Sequence, residues 1–470
     1  MKQIFQIHLL TILLISSVFS YENAFTYSSS GKINLQHSPE FSEISGGYTR
    51  IAKMGEGHTI EPGMPELPYF STYFQLDPTK TYDFQFEILD SYIIEDITIM
   101  PHQGMEKWEV DAVSIINETV YDSYKPLPEV NMVVSERMQG RGVEFVSINV
   151  TPYKYYPKYK RLEVYSEIDI QVIETGDNLN GSLRQPKRSR IFDEFYKDLI
   201  VNFEYSDRPD EYQAQAILYI GGGSSLSNSY VQDLIEWRHK QGYIVYTASE
   251  SEVGGSSAST SEIKNYISEA YYDWENPPEI VGLIGDTNGN YSLPCFEHSW
   301  GGWLGEDGAT DFNYTQLDGN DLISEVFIGR ISGETSDEIE NIINKTIQYE
   351  KALYVSDDWF MRAALVGDPL QSGNSTIFTN QYIENIMINH GMTGVETDYD
   401  GYNIDNWLID QFQDGILYYN YRGIYGADGT SPSNQYNNGY ATPFATVMTC
   451  GTGDYHNTGW TTGNESATEE

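Results

Sequence analysis

From Ala216 onward, short unbroken runs of apolar residues alternate with longer stretches in which apolar residues recur every three or four positions. AILYI (Ala216–Ile220), IVGLI (Ile280–Ile284), VFIGRI (Val326–Ile331) and AALV (Ala363–Val366) are of the first kind, the pattern of strands buried on both faces of a parallel sheet. Tyr243–Thr247, Ile416–Tyr419 and Phe444–Met448 add three more. Helical stripes fill the intervals: Ser227–Gln241, Thr260–Trp274, the segment opened by the capping pair Thr335 and Glu338, Thr376–His390 and Asp405–Phe412. Strand and helix in this alternation predict right-handed βαβ units, hence an α/β domain over residues 205–470 with a doubly wound, mostly parallel sheet.

Upstream, the period changes from 3.6 to two. VEFVSINV (Val143–Val150) and LEVYSEIDIQV (Leu162–Val172) alternate apolar and polar residues, as strands with one wet face do. TPYKYYPKYKR between them has the prolines and basic residues of a hairpin turn. Pro62, Pro65 and Pro68 exclude a helix over Thr59–Leu76 and mark an edge or extended segment. Residues 21–176 therefore read as an all-β domain of sandwich type. Residues 177–204 read as a linker, since Asp177–Arg190 is polar, contains Gly and Pro, and has no apolar period. Its basic cluster Lys187–Arg190 is either a processing site or a solvated stretch of that linker.

The first twenty residues have Lys2 followed by an apolar Ile4–Val18 and small residues to Ser20. That is the layout of a cleaved signal peptide rather than a membrane span, so secretion is expected. With 27 basic against 69 acidic residues the net charge is −42, which excludes a nucleic-acid partner and sets the chain against anionic membranes. In an oxidising compartment the two cysteines, Cys295 and Cys450, suggest either one disulfide or a free thiol at work. Cys450 ends an apolar run and precedes Gly451-Thr452-Gly453, which let a substrate backbone approach closely. Ligands bind at the carboxyl ends of such strands, which makes Cys450 a candidate nucleophile. Gly221-Gly222-Gly223 also follows a strand, but its spacing matches no dinucleotide or phosphate-binding loop. Three acidic loops, Asp286–Asn290, Asp318–Asp321 and Asp398–Gly401, offer oxygen ligands without completing a calcium-loop pattern.

GLIGD (Gly282–Asp286), TDFNYTQLDGND (Thr310–Asp321), EVFIGRIS (Glu325–Ser332), KTIQYEK (Lys345–Lys351), NYRG (Asn420–Gly423) and TCGTGDY (Thr449–Tyr455) together resemble the gingipain family of cysteine peptidases. The resemblance runs from about Ala216 to the end, and the PELPYF and PYKYYP segments resemble the family's propeptide domain. It implies a caspase-like fold preceded by an all-β prodomain acting as intramolecular partner, a protein or peptide substrate, and Cys450 as nucleophile. No cofactor is implied for the chemistry; calcium is the cation such domains bind. Backbone amides of Tyr425 and Cys450 would hold the oxyanion. Asp368 stands near the family's acidic orienting residue, where it would polarise a base, shape the pocket or cap the next helix. In the family a Gly-His pair supplies the proton-transfer imidazole; here Gly423 is followed by Ile424. The imidazole must then come from His298 or His456, or the chain is a non-catalytic relative that binds peptides or surfaces. A doubly wound domain of this kind is also expected to continue past Glu470.

Overall fold

The structure is a computed structural model. It describes residues 24–52, 57–59, 61–103, 115–179, 187–255, 257–299, 307–319, 321–351, 358–369, 375–399, 404–425, 441–450, 452–453 and 455–456. The expected signal peptide lies outside these residues. The described chain forms two compact units that change over at Asp207 and Arg208, the second also taking in Lys187–Ile191.

The first unit is a β-sandwich. One sheet orders Phe25–Ser28, Lys32–Gln36, Arg161–Asp177 and Tyr153–Tyr156, with Lys80–Ile94 also paired to Arg161–Asp177. The other orders Gly57–His58, Pro68–Leu76, Val143–Val150 and Met132–Val134, with Met138–Gly140 also on Val143–Val150. Alternation sends Ile33, Leu35, Ile168 and Ile170 of one sheet against Phe70, Phe74, Ile148 and Val150 of the other. Two expectations are refined here. Pro68–Leu76 is not an edge: it lies between two partners, and its proline is tolerated because it is the first strand residue. The PYKYYP stretch contains a strand of its own, Tyr153–Tyr156, and the turn is confined to Pro157–Lys160, where Lys160 adopts φ 48°.

Within the expected linker the chain folds into a helix, Arg190–Leu199, whose Phe192 and Tyr196 are buried one turn apart. The Tyr196 hydroxyl donates to the Gly140 carbonyl at 2.7 Å. Before it, Arg188 pairs with the backbone of Glu211 and Gln213, and the guanidiniums of Arg188 and Arg190 lie 5.6 and 4.5 Å from the Tyr212 ring. The basic cluster is thus tied down rather than loose.

In the second unit the βαβ alternation divides into two four-stranded parallel sheets. The first orders Ile244–Ser249, Ala216–Gly221, Ile280–Ile284 and Phe327–Ile331. The second orders Gly394–Asp398, Arg362–Gly367, Tyr418–Tyr425 and Phe444–Cys450. In chain order both read second, first, third, fourth, so each reverses direction between its first and third strands. Helix Thr260–Asp273 covers one face of the first sheet through Ile263, Ile267 and Ala270. Helices Ser229–Lys240 and Ser336–Glu350 cover the other through Val231, Leu234, Ile339 and Ile343. The capping box of Thr335 and Glu338 is formed. On the second sheet, helix Asp405–Asp414 packs Leu408 against Ala364, Ile416 and Tyr421. Helix Ser375–Asn389 is instead fastened by polar groups: buried Asn380 donates to the Val366 carbonyl and accepts from Asn420 at 2.7 Å. Among the described residues, no helix is long and apolar enough to cross a membrane.

Candidate active site

At the carboxyl edge of the first sheet, small residues let two loops meet. Gly222 and Gly223 lie against the carbonyls of Asn290 and Tyr291, and Gly285 (φ 135°) against that of Tyr291. A Cβ at any of the three would collide with backbone, so the tri-glycine serves loop packing. The Asp286 carboxylate accepts from Ser332 Oγ at 2.9 Å and from the Asn288 amide at 3.3 Å.

Arg330, on the edge strand of this sheet, has all five guanidinium donors satisfied. Nε and Nη2 form a fork on Asp311, each at 2.8 Å, while Nη1 and Nη2 also reach the carbonyls of Gly285, Leu293 and Pro294. The pair is nearly buried, at 5% and 11% side-chain exposure. Burial alone would favour the neutral guanidine, but the Asp311 carboxylate outweighs it and raises the Arg330 pKa. The apolar run VFIGRI reads as a strand buried on both faces, with no role for its arginine; only the quoted motifs TDFNYTQLDGND and EVFIGRIS contain both partners.

Glu325, at the start of the same motif, is fully buried and caps the Thr315–Asp321 loop by accepting from the amides of Leu317 (2.7 Å) and Asp318 (3.1 Å). Burial pushes its carboxyl up to about 7, against the pull of those two amides and helped by Asp318 and Asp321. The folded value lies above the unfolded one, so its contribution is fully present below about pH 4.5 and is lost as pH rises through 7. Glu325→Gln should therefore flatten the fall in Tm between pH 5 and 8, a difference of roughly 2 kcal/mol at pH 8. An unchanged pH–Tm curve would show that Glu325 does not titrate there. In the Asp318–Asp321 loop, Asp318 accepts from Tyr272 at 2.7 Å and Asp321 from the Ile323 amide at 2.8 Å.

On the second sheet, Cys450 is the last residue of its strand and is paired with Tyr425 after a bulge that follows Arg422. The backbone of both candidate oxyanion residues is thus at one place on the carboxyl edge; the side chains of Cys450, Tyr425 and Ile424 lie outside the described set. Asp368 directly follows strand Arg362–Gly367, the other neighbour of Tyr418–Tyr425, and is buried. Its amide donates to the Arg422 carbonyl at 2.9 Å, Tyr421 donates to its Oδ2 at 3.3 Å, and Thr376 donates to its carbonyl. Asp368 is therefore brought beside the Tyr421–Gly423 strand end. Cys295 is present as a buried thiol.

The described residues after Cys450 reach the carboxyl edge of the first sheet. Thr452 Oγ1 turns back to the Thr449 carbonyl at 3.1 Å, and the Tyr455 carbonyl accepts from Thr287 Oγ1 at 3.1 Å. The Tyr455 ring lies 5.1 Å from the Arg330 guanidinium carbon. Burial, with Asp311 nearby, pushes the Tyr455 phenol up. His456 then pairs through Nε2 with Glu297 at 2.9 Å. His298, one residue from Glu297, is instead held by Asn313 at 2.9 Å on its own two-stranded ribbon, Phe296–Ser299 with Asp307–Thr310. The two candidate imidazoles thus lie on the edge of the first sheet, and, of the bonds among the described residues, His456 is held by a carboxylate and His298 by an amide oxygen. Nothing in the one-dimensional pattern announced Glu297 as its partner.

Residues 211–470 match the sequence model of peptidase family C25, and residues 32–209 match that of Propeptide_C25. Gingipain R2 of Porphyromonas gingivalis is 25% identical over 436 residues, covering 88% of this chain and 57% of the relative. Lys-gingipain W83 of Porphyromonas gingivalis is 25% identical over 362 residues, covering 71% and 20%. The chain thus spans 57% of the length of Gingipain R2 and 20% of that of Lys-gingipain W83. Among solved structures, the Arg specific cysteine proteinase gingipain R (RGPB) matches with a TM-score of 0.45 at 24% identity, over 52% of this chain and 56% of that one. A complex of Porphyromonas gingivalis RgpB pro- and mature domains matches with a TM-score of 0.32 at 22% identity, over 38% and 97%.

Proposed function

We propose, from the premise that this chain belongs to peptidase family C25, that it is a secreted cysteine endopeptidase precursor. Residues 211–470 would carry the chemistry and residues 32–209 the propeptide. The observation that supports it most is the register of Cys450 with Tyr425 at the carboxyl end of parallel strands, with His456 returned to a carboxylate six residues later.

In this reading His456 takes the proton of the Cys450 thiol, and the thiolate sulfur attacks the peptide carbonyl carbon. The backbone amides of Cys450 and Tyr425 stabilise the oxyanion. Collapse of the tetrahedral intermediate breaks the C–N bond; the amine leaves with the proton from His456, and a thioester remains. Water, deprotonated by the same imidazole, hydrolyses it and restores the thiol. Glu297 fixes the tautomer, donating nothing itself, as the third member of such a set does. Asp368 acts through Tyr421 and the Arg422 carbonyl to position the strand end beside Cys450.

Hydrolysis of a mixed peptide library by the wild-type chain and two variants tests the base. His456→Ala should lower the rate by about two to four orders of magnitude, and His298→Ala by less than tenfold. Equal effects, or none from either, would remove His456 from this role. The second reading, a non-catalytic peptide-binding relative, is favoured by Ile424 standing where the family places its imidazole. It predicts peptide retention without any cleavage.

A further inference from the structure

We propose that His58, Glu66 and His102, in the N-terminal β-sandwich, form a binding site for a divalent transition-metal ion of zinc type. One ligand atom from each residue lies within 4.8 Å of the other two. The two imidazole rings stand edge to face with centroids 5.4 Å apart, and His102 Nδ1 is 3.2 Å from Glu66 Oε1. Two imidazoles and a carboxylate are a zinc-binding set with a fourth position left for water. A zinc ion would take such groups at about 2.0–2.2 Å.

Three separate backbone segments hold these groups, and main-chain hydrogen bonds fix each of them. His58 is paired with Pro68 in the short strand that borders Pro68–Leu76. The Glu66 amide donates to the Met100 carbonyl at 2.8 Å, and the His102 amide to the Met64 carbonyl at 2.8 Å. Burial separates their roles: Glu66 is 6% exposed, His102 half-buried and His58 at the surface, so an ion can enter from solvent past His58. Arg50 Nε donates to Glu66 Oε2 at 2.9 Å, which leaves Oε1 turned toward the imidazoles. Such an outer partner orients a ligating carboxylate. Its positive charge opposes the ion and makes the site weaker than a closed four-ligand centre, while the chain's charge of −42 favours cations generally. Bound there, the ion would clasp the three segments and stabilise this unit by mass action.

Zinc also binds thiolates, so the titration is made on the full-length Cys450→Ala chain after chelator treatment. Calorimetry with Zn²⁺ alone should show one ion per chain at pH 7.5, and saturating Zn²⁺ should raise Tm. Co²⁺ in its place should give the strong visible absorption of a four-coordinate centre. His58→Ala, which removes a surface ligand without disturbing the core, should weaken binding by more than tenfold, since loss of even an outer partner costs about 10–100-fold. His390→Ala should leave it unchanged. No heat and no Tm shift in the parent chain, or equal affinity in His58→Ala, would overturn the proposal. So would a loss shared by His390→Ala, which would mark scattered surface histidines as the binders.

Discussion

Exchange of Cys450 for alanine is expected to reduce peptide hydrolysis by about six orders of magnitude, to the residual rate left by substrate binding and the oxyanion site. The size follows from the mechanism. A proton-transfer group can be replaced in part by water, but the covalent route vanishes with the sulfur. Backbone amides at Tyr425 and Cys450 survive the substitution, because the strand pairing that places them does not depend on the thiol. Residual catalysis from the oxyanion site should therefore remain above background and disappear when the fold is lost. Circular dichroism of the variant should match the parent. Retained hydrolysis at more than about a thousandth of the parental rate would move the nucleophile elsewhere in the chain.

Arg330→Met should unfold the carboxyl edge of the first sheet at the cost of about 3–5 kcal/mol, the usual consequence of leaving a buried partner charge alone. Asp311 would remain at 11% exposure with no counterion, and the carbonyls of Gly285 and Leu293 would lose the Arg330 donor, while that of Pro294 would keep only Tyr314. Tyr455 would lose the cation beneath its ring, and with it the anchor of the segment that follows Cys450. Denaturant melts should show the stability loss, and kcat should fall with it because His456 is carried on the same anchor. Arg330→Lys should recover little, since an ammonium cannot reproduce the planar fork on Asp311. The double variant Arg330→Met with Asp311→Asn should recover part of the stability by removing the stranded charge. If Arg330→Met melts like the parent, the cluster is ornamental.

The parallel sheets were legible because their strands are buried on both faces: AILYI and IVGLI admit no other placement of so many apolar groups. Helix Arg190–Leu199 was not, because Asn, Ser and Pro just before it set the composition of the whole stretch, while Phe192 and Tyr196 are too few to show a period. The strand Gly394–Asp398 was missed for a related reason. It is an edge strand with Glu, Thr and Asp among its five residues, and only its neighbour Arg362–Gly367 makes it a strand. The same limit applies at the site. Cys450 announces itself by a run ending in Gly-x-Gly. The partnership of His456 with Glu297 joins residues 159 positions apart, however, and arises from two loops closing on Arg330. A buried strand was legible around Arg330, but not its role, because the five acceptors come from Asp311 and from the Gly285, Leu293 and Pro294 carbonyls, all distant in sequence.

Whether Cys450 is an activated nucleophile is read by peptide mapping after exposure to a peptidyl electrophile that alkylates thiolates. One adduct is expected, on Cys450, formed at least a hundredfold faster than on a simple thiol and slowed by His456→Ala. Labelling of Cys450 no faster than a small-molecule thiol, or at the same rate in both chains, would contradict it.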